Sequence, residues 1–155
     1  MGHRNRLLVS WVICVSIAAA AVDGPGKTGE TALTTTADQV VRAREAAMQE
    51  KSTAQDVERY LAFLTDDVVY EDPVVKAHIE GKSNVRKGMS NYLGAYKQTV
   101  LTIKHTMTAG NAVVLEISVS FTDAETGRVI MRDQVTVLEF QDTKVRRILD
   151  YWTRS

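Results

Sequence analysis

The stretch FLTDDVVYEDPVV, Phe63–Val75, decides the fold because a helix, a strand and a stop signal follow one another within it. A helix with apolar residues at i, i+3, i+4 and i+7 comes before this stretch and ends where the stretch begins. The alternation that follows places Val68, Tyr70 and Asp72 on one face of a strand. Pro73 has no N–H to donate to a β-ladder, so the strand ends there or lies at an edge. The stretch therefore predicts a helix-to-strand junction with Asp72 at the end of the strand.

Two helices are predicted before this junction and a third after it. The first begins at Asp38, a suitable N-cap residue. Thr53 followed by Asp56 forms a capping-box pattern that starts the second helix. Ser83 is the expected N-cap of the third helix, whose apolar stripe extends to Tyr96.

From residue 99 onward every segment has the pattern of a strand. Gly110 and Asn111 form a hairpin turn signal, and the segments DAETG and QDTK mark two further turns. The element order is helix, helix, strand, helix and four antiparallel strands. This order predicts an α+β domain in which one curved antiparallel sheet and three helices from the N-terminal half enclose a conical cavity.

The N-terminus has the pattern of a secretory signal peptide. MGHRNR is basic, and the uncharged apolar run Leu7–Val22 ends in small residues that offer A-x-A cleavage sites. Residues 1–22 are therefore expected to be removed, which makes the protein secreted or periplasmic. An uncleaved membrane anchor is the alternative, although a spanning helix needs about 20 apolar residues. Residues 23–37 are predicted to be a flexible spacer and residues 38–155 to be the folded domain.

Composition narrows the classes of function. The chain has 19 basic and 19 acidic residues and no basic patch, so nucleic acid is not an expected partner. The single cysteine, Cys14, lies inside the predicted signal peptide, so the mature chain is expected to have no disulfide. No His, Asp or Glu spacing fits a metal site, and neither a P-loop nor a G-x-S-x-G elbow is present. No metal, cofactor or, after signal cleavage, membrane is expected as a partner.

Three segments resemble the nuclear transport factor 2 (NTF2)-like superfamily, which includes SnoaL-like polyketide cyclases and ketosteroid isomerases. FLTDDVVYEDP resembles its helix-to-strand junction, IEGKSNVRKGMSNYL its glycine-led third helix, and VTVLEFQDTKVRRILDYW its final hairpin. The resemblance covers residues 38–152 and implies an NTF2-like cone that pairs as a homodimer through the outer face of its sheet. It implies no single activity, because the superfamily contains isomerases, cyclases, hydrolases and non-enzymes.

The resemblance makes Asp72 the candidate general base. In ketosteroid isomerases the aspartate of the E-D-P segment moves a proton between carbons next to a carbonyl, inside an apolar cleft. The alternative is structural, because an aspartate before a proline commonly forms a turn. The oxyanion donors of the family are missing: no tyrosine lies near Ala46–Met48, and Thr136 stands where an aspartate is expected. Without such donors a base cannot stabilise an enolate, so isomerase or cyclase activity is not transferred.

Other polar and aromatic residues are candidates to join Asp72. His105 shares a face with Ile103 and Met107 in a regular strand, so it is expected to enter the cavity as a second candidate catalytic residue. Four further residues are expected to line the pocket: Tyr70, Gln134, Thr136 and Trp152.

The sequence thus predicts an exported pocket protein that binds a small apolar or carbonyl-bearing ligand. If the protein is an enzyme, the reaction is proton transfer next to a carbonyl, of the isomerase or cyclase type. The alternative is a non-catalytic NTF2-like dimerisation or interaction module. An open cavity favours the first interpretation, and a filled cone favours the second.

Overall fold

The computed structural model of the protein describes residues 25–153, with side chains from residue 29 onward. Within that range the helices are α1 (Pro25–Ala47), α2 (Ala54–Leu61) and α3 (Lys82–Ser90). The strands are β1 (Leu64–Asp72), β2 (Ala77–Glu80), β3 (Tyr96–Ala109), β4 (Ala112–Asp123), β5 (Val129–Gln141) and β6 (Lys144–Trp152). The predicted signal peptide, residues 1–22, lies outside the described residues.

Helix α1 begins at Pro25, well before the predicted N-cap Asp38. Residues 25–37 are therefore helical, and the prediction of a flexible spacer is wrong for them. Proline suits the first position of a helix. Threonine hydroxyls in this part of α1 donate to carbonyls of the same helix, as Thr35 Oγ1 does to the carbonyl of Thr31 at 2.8 Å. Ala37 is fully buried and packs this part of α1 against the core.

The boundaries of the other helices follow their caps. The capping box predicted at the start of α2 is confirmed, because the Thr53 N–H donates to Asp56 Oδ2 at 2.8 Å. Helix α3 starts after Gly81 rather than at the predicted N-cap Ser83. Helix α3 also ends before the apolar stripe that was predicted to extend to Tyr96. Gly94 adopts a φ of 74°, a conformation that favours glycine, and the chain turns there. Tyr96 is therefore the first residue of β3.

The six strands form one sheet in the order β2-β1-β6-β5-β4-β3. Strand β2 was not predicted; it forms where a loop was expected and pairs Ile79 with Tyr70 of β1. Strands β1 and β6 run parallel, so the sheet is mixed rather than wholly antiparallel as predicted. The other neighbours are antiparallel, including the predicted hairpin in which Ala109 pairs with Ala112 across Gly110-Asn111.

The core lies between the concave face of the sheet and the helices. Alternate residues of β4 are buried, beginning with Val113, Leu115 and Ile117, and their neighbours face outward. Val40 and Val41 of α1 and Leu61 of α2 pack over this face. The predicted α+β cone is therefore confirmed. Between residues 25 and 153, no helix is both long and apolar enough to cross a membrane.

Candidate functional site

A cavity of about 280 Å³ lies between helix α3 and the concave face of the sheet. Its apolar wall comes from β2, the turn before it and α3, and consists of Val75, Ala77, Ile79, Val85 and Met89. Its polar wall comes from α1 and the sheet, and consists of Arg44, Tyr70, Asp72, Arg132 and Trp152. Two stacked rings, Tyr92 and Tyr96, also border it with their centroids 5.7 Å apart. The mixture of apolar surface and few polar groups is typical of small-molecule sites.

Asp72 lies on the cavity wall and forms the turn after β1. Its side chain is 6% exposed. Oδ1 accepts hydrogen bonds from the N–H groups of Val74 at 3.0 Å and Val75 at 3.3 Å. Oδ2 accepts a hydrogen bond from Trp152 Nε1 at 2.8 Å, which brings β1 and β6 together at the predicted pocket residue Trp152. The structure thus shows the predicted turn, and it also places the Asp72 carboxylate at the cavity.

Asp150, on β6, is the centre of a buried polar network. It is 1% exposed, and Arg44 of α1 forms an ion pair with its Oδ2 at 2.8 Å. The hydroxyl of Tyr70 donates to the same oxygen at 3.1 Å. Thr136 Oγ1 donates to Oδ1 at 2.6 Å. Three donors therefore satisfy the buried carboxylate, as a charge removed from water requires.

The network changes the proton affinities of its members. Burial is the largest single influence on the pKa of Arg44 and lowers it, but the charge of Asp150, the neighbouring tyrosines and the hydrogen bond to Asp150 together raise that pKa well above the usual arginine value. Burial raises the pKa of Tyr60 to about 12. Burial also raises the pKa of Tyr70, and the Asp150 charge adds to that rise. Tyr70 is therefore a neutral hydrogen-bond donor at neutral pH.

Arg132, on β5, is the second arginine of the cavity. Its guanidinium lies over the ring of Trp152, with Cζ 4.3 Å from the ring centroid. One terminal nitrogen reaches Gln134 Oε1 at 3.4 Å, and Nε is buried with no hydrogen-bond partner among the described residues. Burial and then the charge of Arg44 lower its pKa. An arginine nevertheless remains protonated in proteins, so Arg132 is a cation at the cavity wall.

Gln134 and Thr136 were predicted to line the ligand pocket, and they lie beneath it instead. They border a separate void of only about 20 Å³, which has room for about one water molecule. Arg44 and Arg132 border both the void and the larger cavity. Gln134 Nε2 donates to Thr136 Oγ1 at 2.9 Å, and Thr136 in turn donates to Asp150. Both side chains therefore belong to the hydrogen-bond network of Asp150. Tyr70 and Trp152 do line the larger cavity, as predicted.

His105 does not enter the cavity, and that prediction is wrong. Its side chain is 80% exposed on the outer face of the sheet, where Nδ1 lies 2.8 Å from Glu116 Oε2. The register of β3 against β4 shifts between Ile103 and His105. One extra residue in a strand moves the following side chains to the opposite face, so Ile103 faces inward while His105 and Met107 face outward.

The charged residues that organise the site were not predicted: Arg44, Arg132 and Asp150. The sequence does contain a signal for the two arginines. Arg44 lies on the apolar stripe of α1, and Arg132 shares a strand face with Gln134. A charge on an otherwise buried face is expensive unless it has a partner or a function. Among residues 29–153, no group of three or more His, Cys, Asp or Glu side chains is arranged to hold a metal ion.

The chain has the fold of several solved structures of low sequence identity. A protein from Shewanella putrefaciens that is assigned as a SnoaL-like polyketide cyclase is 18% identical to this chain. The TM-score is 0.65, and the match covers 95% of this chain and 92% of that one. An LEH-like epoxide hydrolase from M. tuberculosis is 24% identical with a TM-score of 0.61, and the match covers 77% of this chain and 84% of that one. A hypothetical protein with a ketosteroid isomerase-like fold from Catenulispora acidiphila is 18% identical with a TM-score of 0.62, and the match covers 76% of this chain and 87% of that one.

At these identities the likeness concerns the fold alone. No curated protein matches the chain. The model of the SnoaL-like domain matches residues 40–148, which include every helix and strand of the cone except the first part of α1 and the end of β6. The chain therefore belongs to the SnoaL-like domain family.

Proposed function

We propose that this is an exported protein that binds a small, largely apolar ligand with a carbonyl-type oxygen in the cavity of about 280 Å³. The observation that carries the proposal is the two-sided wall of that cavity. Ile79, Val85 and Met89 offer apolar contact, and the opposite wall offers the Arg132 guanidinium as a donor. The proposal that the protein is exported rests on the basic residues and the apolar run that follows them within residues 1–22.

A leucine at position 88 is expected to block the cavity. Gly88 lies on α3 at the cavity wall, and a Cβ added there meets Ile79 Cδ1 at 4.0 Å, an ordinary contact. Leucine favours a helix more than glycine does, so Gly88→Leu should fold while its side chain occupies ligand space. We expect the affinity for α-tetralone, a bicyclic aryl ketone, to fall at least about tenfold in isothermal titration calorimetry.

Gly88→Ala is the matched control for this test. It adds only the Cβ that the site accommodates, so its affinity for α-tetralone should equal that of the unsubstituted protein. If Gly88→Leu binds the ketone as well as Gly88→Ala does, or if none of the three proteins binds it, the cavity is not the ligand site we propose.

We also propose proton transfer as the chemistry of this site. A buried carboxylate that borders an apolar cavity can take a proton from a carbon next to a carbonyl, because water does not compete for it. The tyrosine and aspartate donors of ketosteroid isomerases have no counterpart here. The Arg132 guanidinium lies on the same cavity wall as Asp72 and can donate a hydrogen bond to a developing oxyanion instead.

The outer face of the sheet supports a homodimer, which we propose as the assembly. Strand register places Met107 beside Val114, Val114 beside Val137, and Val135 beside Tyr151. These five residues are defined as the outer patch. Its exposed members include Met107, at 63%, and Tyr151, at 46%. Neighbouring apolar side chains on a solvent-facing sheet mark an interaction surface.

Val135→Glu is expected to separate the dimer. Val135 is 40% exposed within the outer patch and lies next to Glu116 in the register, so a second carboxylate adds repulsion as well as polarity. The dimer dissociation constant should rise at least about tenfold in analytical ultracentrifugation. Val75→Glu, 51% exposed at the cavity, is the control and should leave the dimer intact. A monomeric unsubstituted protein would contradict the proposal.

A further inference from the structure

We propose that the ligand of the cavity is a monocarboxylate and that Arg132 binds its carboxylate group. The inference rests on the proposed ligand-binding function and not on the proposed proton transfer, because it names the ligand class for the same cavity. The observation behind it is an unused cationic donor. Arg132 borders the cavity, and its Nε is buried without a hydrogen-bond partner among the described residues. A buried donor without a partner is costly, and the guanidinium that carries it borders the cavity, where a ligand can supply an acceptor to its N–H groups.

Charge balance distinguishes Arg132 from the other arginine. Arg44 is neutralised by Asp150 at 2.8 Å. Asp72 already accepts three hydrogen bonds from N–H groups. Arg132 forms no ion pair with any carboxylate between residues 29 and 153, and its one side-chain hydrogen bond, to Gln134, is long at 3.4 Å. Arg132 is therefore the arginine of the cavity wall that no described carboxylate pairs with directly, and its guanidinium is available to a ligand.

The guanidinium is also held in position. Its Cζ lies over the Trp152 ring, 4.3 Å from the centroid, and this contact restrains the guanidinium. Trp152 is itself fixed by the hydrogen bond from its Nε1 to Asp72. A planar fork of N–H donors matches the two oxygens of a carboxylate. Such preorganisation reduces the entropy lost on binding.

The remainder of the cavity defines the rest of the ligand. Ile79, Val85 and Met89 form an apolar wall, and the rings of Tyr92 and Tyr96 lie beside it. These surfaces favour a flat ring system. The negative charge of Asp72 on the same wall disfavours a dianion such as a phosphate monoester. A ring with a single carboxylate fits both the shape and the charge of the site.

The test compares naphthoate with naphthamide, which has the same shape and no charge. We expect the purified protein to bind naphthoate at least about tenfold more tightly than naphthamide in isothermal titration calorimetry. Naphthyl phosphate should bind more weakly than naphthoate. In Arg132→Gln the preference for naphthoate over naphthamide should disappear, and Arg132→Lys should retain part of it because the charge remains.

Arg147→Gln is the matched control. Arg147 lies on the outer face between Glu71 and Glu139, so its removal should leave the naphthoate preference unchanged. Equal binding of naphthoate and naphthamide would overturn the carboxylate assignment and leave the proposed ligand-binding function intact. Tighter binding of naphthyl phosphate would overturn the assignment in favour of phosphate. If none of the three compounds binds, the carboxylate assignment is wrong, and the binding of α-tetralone decides the proposed function separately.

Discussion

Asp150→Ala is expected to lower the free energy of unfolding by about 3–5 kcal/mol. Asp150 is 1% exposed and neutralises Arg44, whose side chain is only 18% exposed. Removing the carboxylate leaves a guanidinium in the interior without a counter-charge. The hydroxyls of Tyr70 and Thr136 lose their acceptor at the same time. Urea unfolding followed by circular dichroism measures the change.

A double variant separates the uncompensated charge from lost packing. Arg44→Met combined with Asp150→Leu removes both charges and should recover most of the stability, because apolar residues can replace a buried ion pair. Asp133→Ala is the exposed control; Asp133 pairs with Lys104 on the outer face at 2.7 Å and should matter little. A loss in Asp150→Ala no larger than that in Asp133→Ala would refute the central role of this network.

Asp72→Asn is expected to slow catalysed deuterium exchange at the carbon next to the carbonyl of α-tetralone by about 10²–10⁴-fold. An amide cannot act as the base, although its shape matches the carboxylate. Proton NMR in deuterated buffer follows the exchange directly. The proposal of proton transfer fails if folded Asp72→Asn exchanges the proton as fast as the unsubstituted protein does.

Folding must be controlled in that experiment, because Asp72 also forms a turn. Asparagine has one acceptor oxygen, so it cannot serve both the backbone N–H groups and Trp152 Nε1. Trp152→Phe removes the indole donor and keeps an aromatic face beneath Arg132. Exchange rates in Trp152→Phe, with and without Asp72→Asn, therefore report the loss of the base apart from the unpaired donor. Thermal unfolding confirms that each variant is folded.

The parts of the fold that depend on local pattern could be predicted. Strict alternation revealed β4 and β5, and the Gly110-Asn111 signal located the hairpin turn between β3 and β4. The four residues of β2 contain no comparable signal, because their strand conformation depends on pairing with β1. The bulge before His105 likewise exists only relative to β4. A period-2 pattern cannot reveal an extra residue in advance.

In the site, too, the residues in recognisable local segments could be predicted, and the contacts between distant parts of the sequence could not. Asp72, Tyr70 and Trp152 could be proposed because they belong to recognisable segments at the ends of strands. The pairing of Arg44 with Asp150 joins the first helix to the last strand, and no spacing in the sequence links them. Arg132 could be placed on the inner face by alternation, but its lack of a counter-ion is visible only once its neighbours are known.

The position of β6 in the sheet has a consequence for how the protein forms. The last strand of the chain lies between β1 and β5, so it joins the β1–β2 pair to the β3–β4–β5 meander. Until residues 144–152 are free to pair, these two parts share no strand pairing. Assembly of the whole sheet must therefore wait for β6, and its long-range pairing makes it slow compared with a helical bundle. A stop codon before Lys144 would leave two half-sheets with exposed edges, which are prone to aggregation.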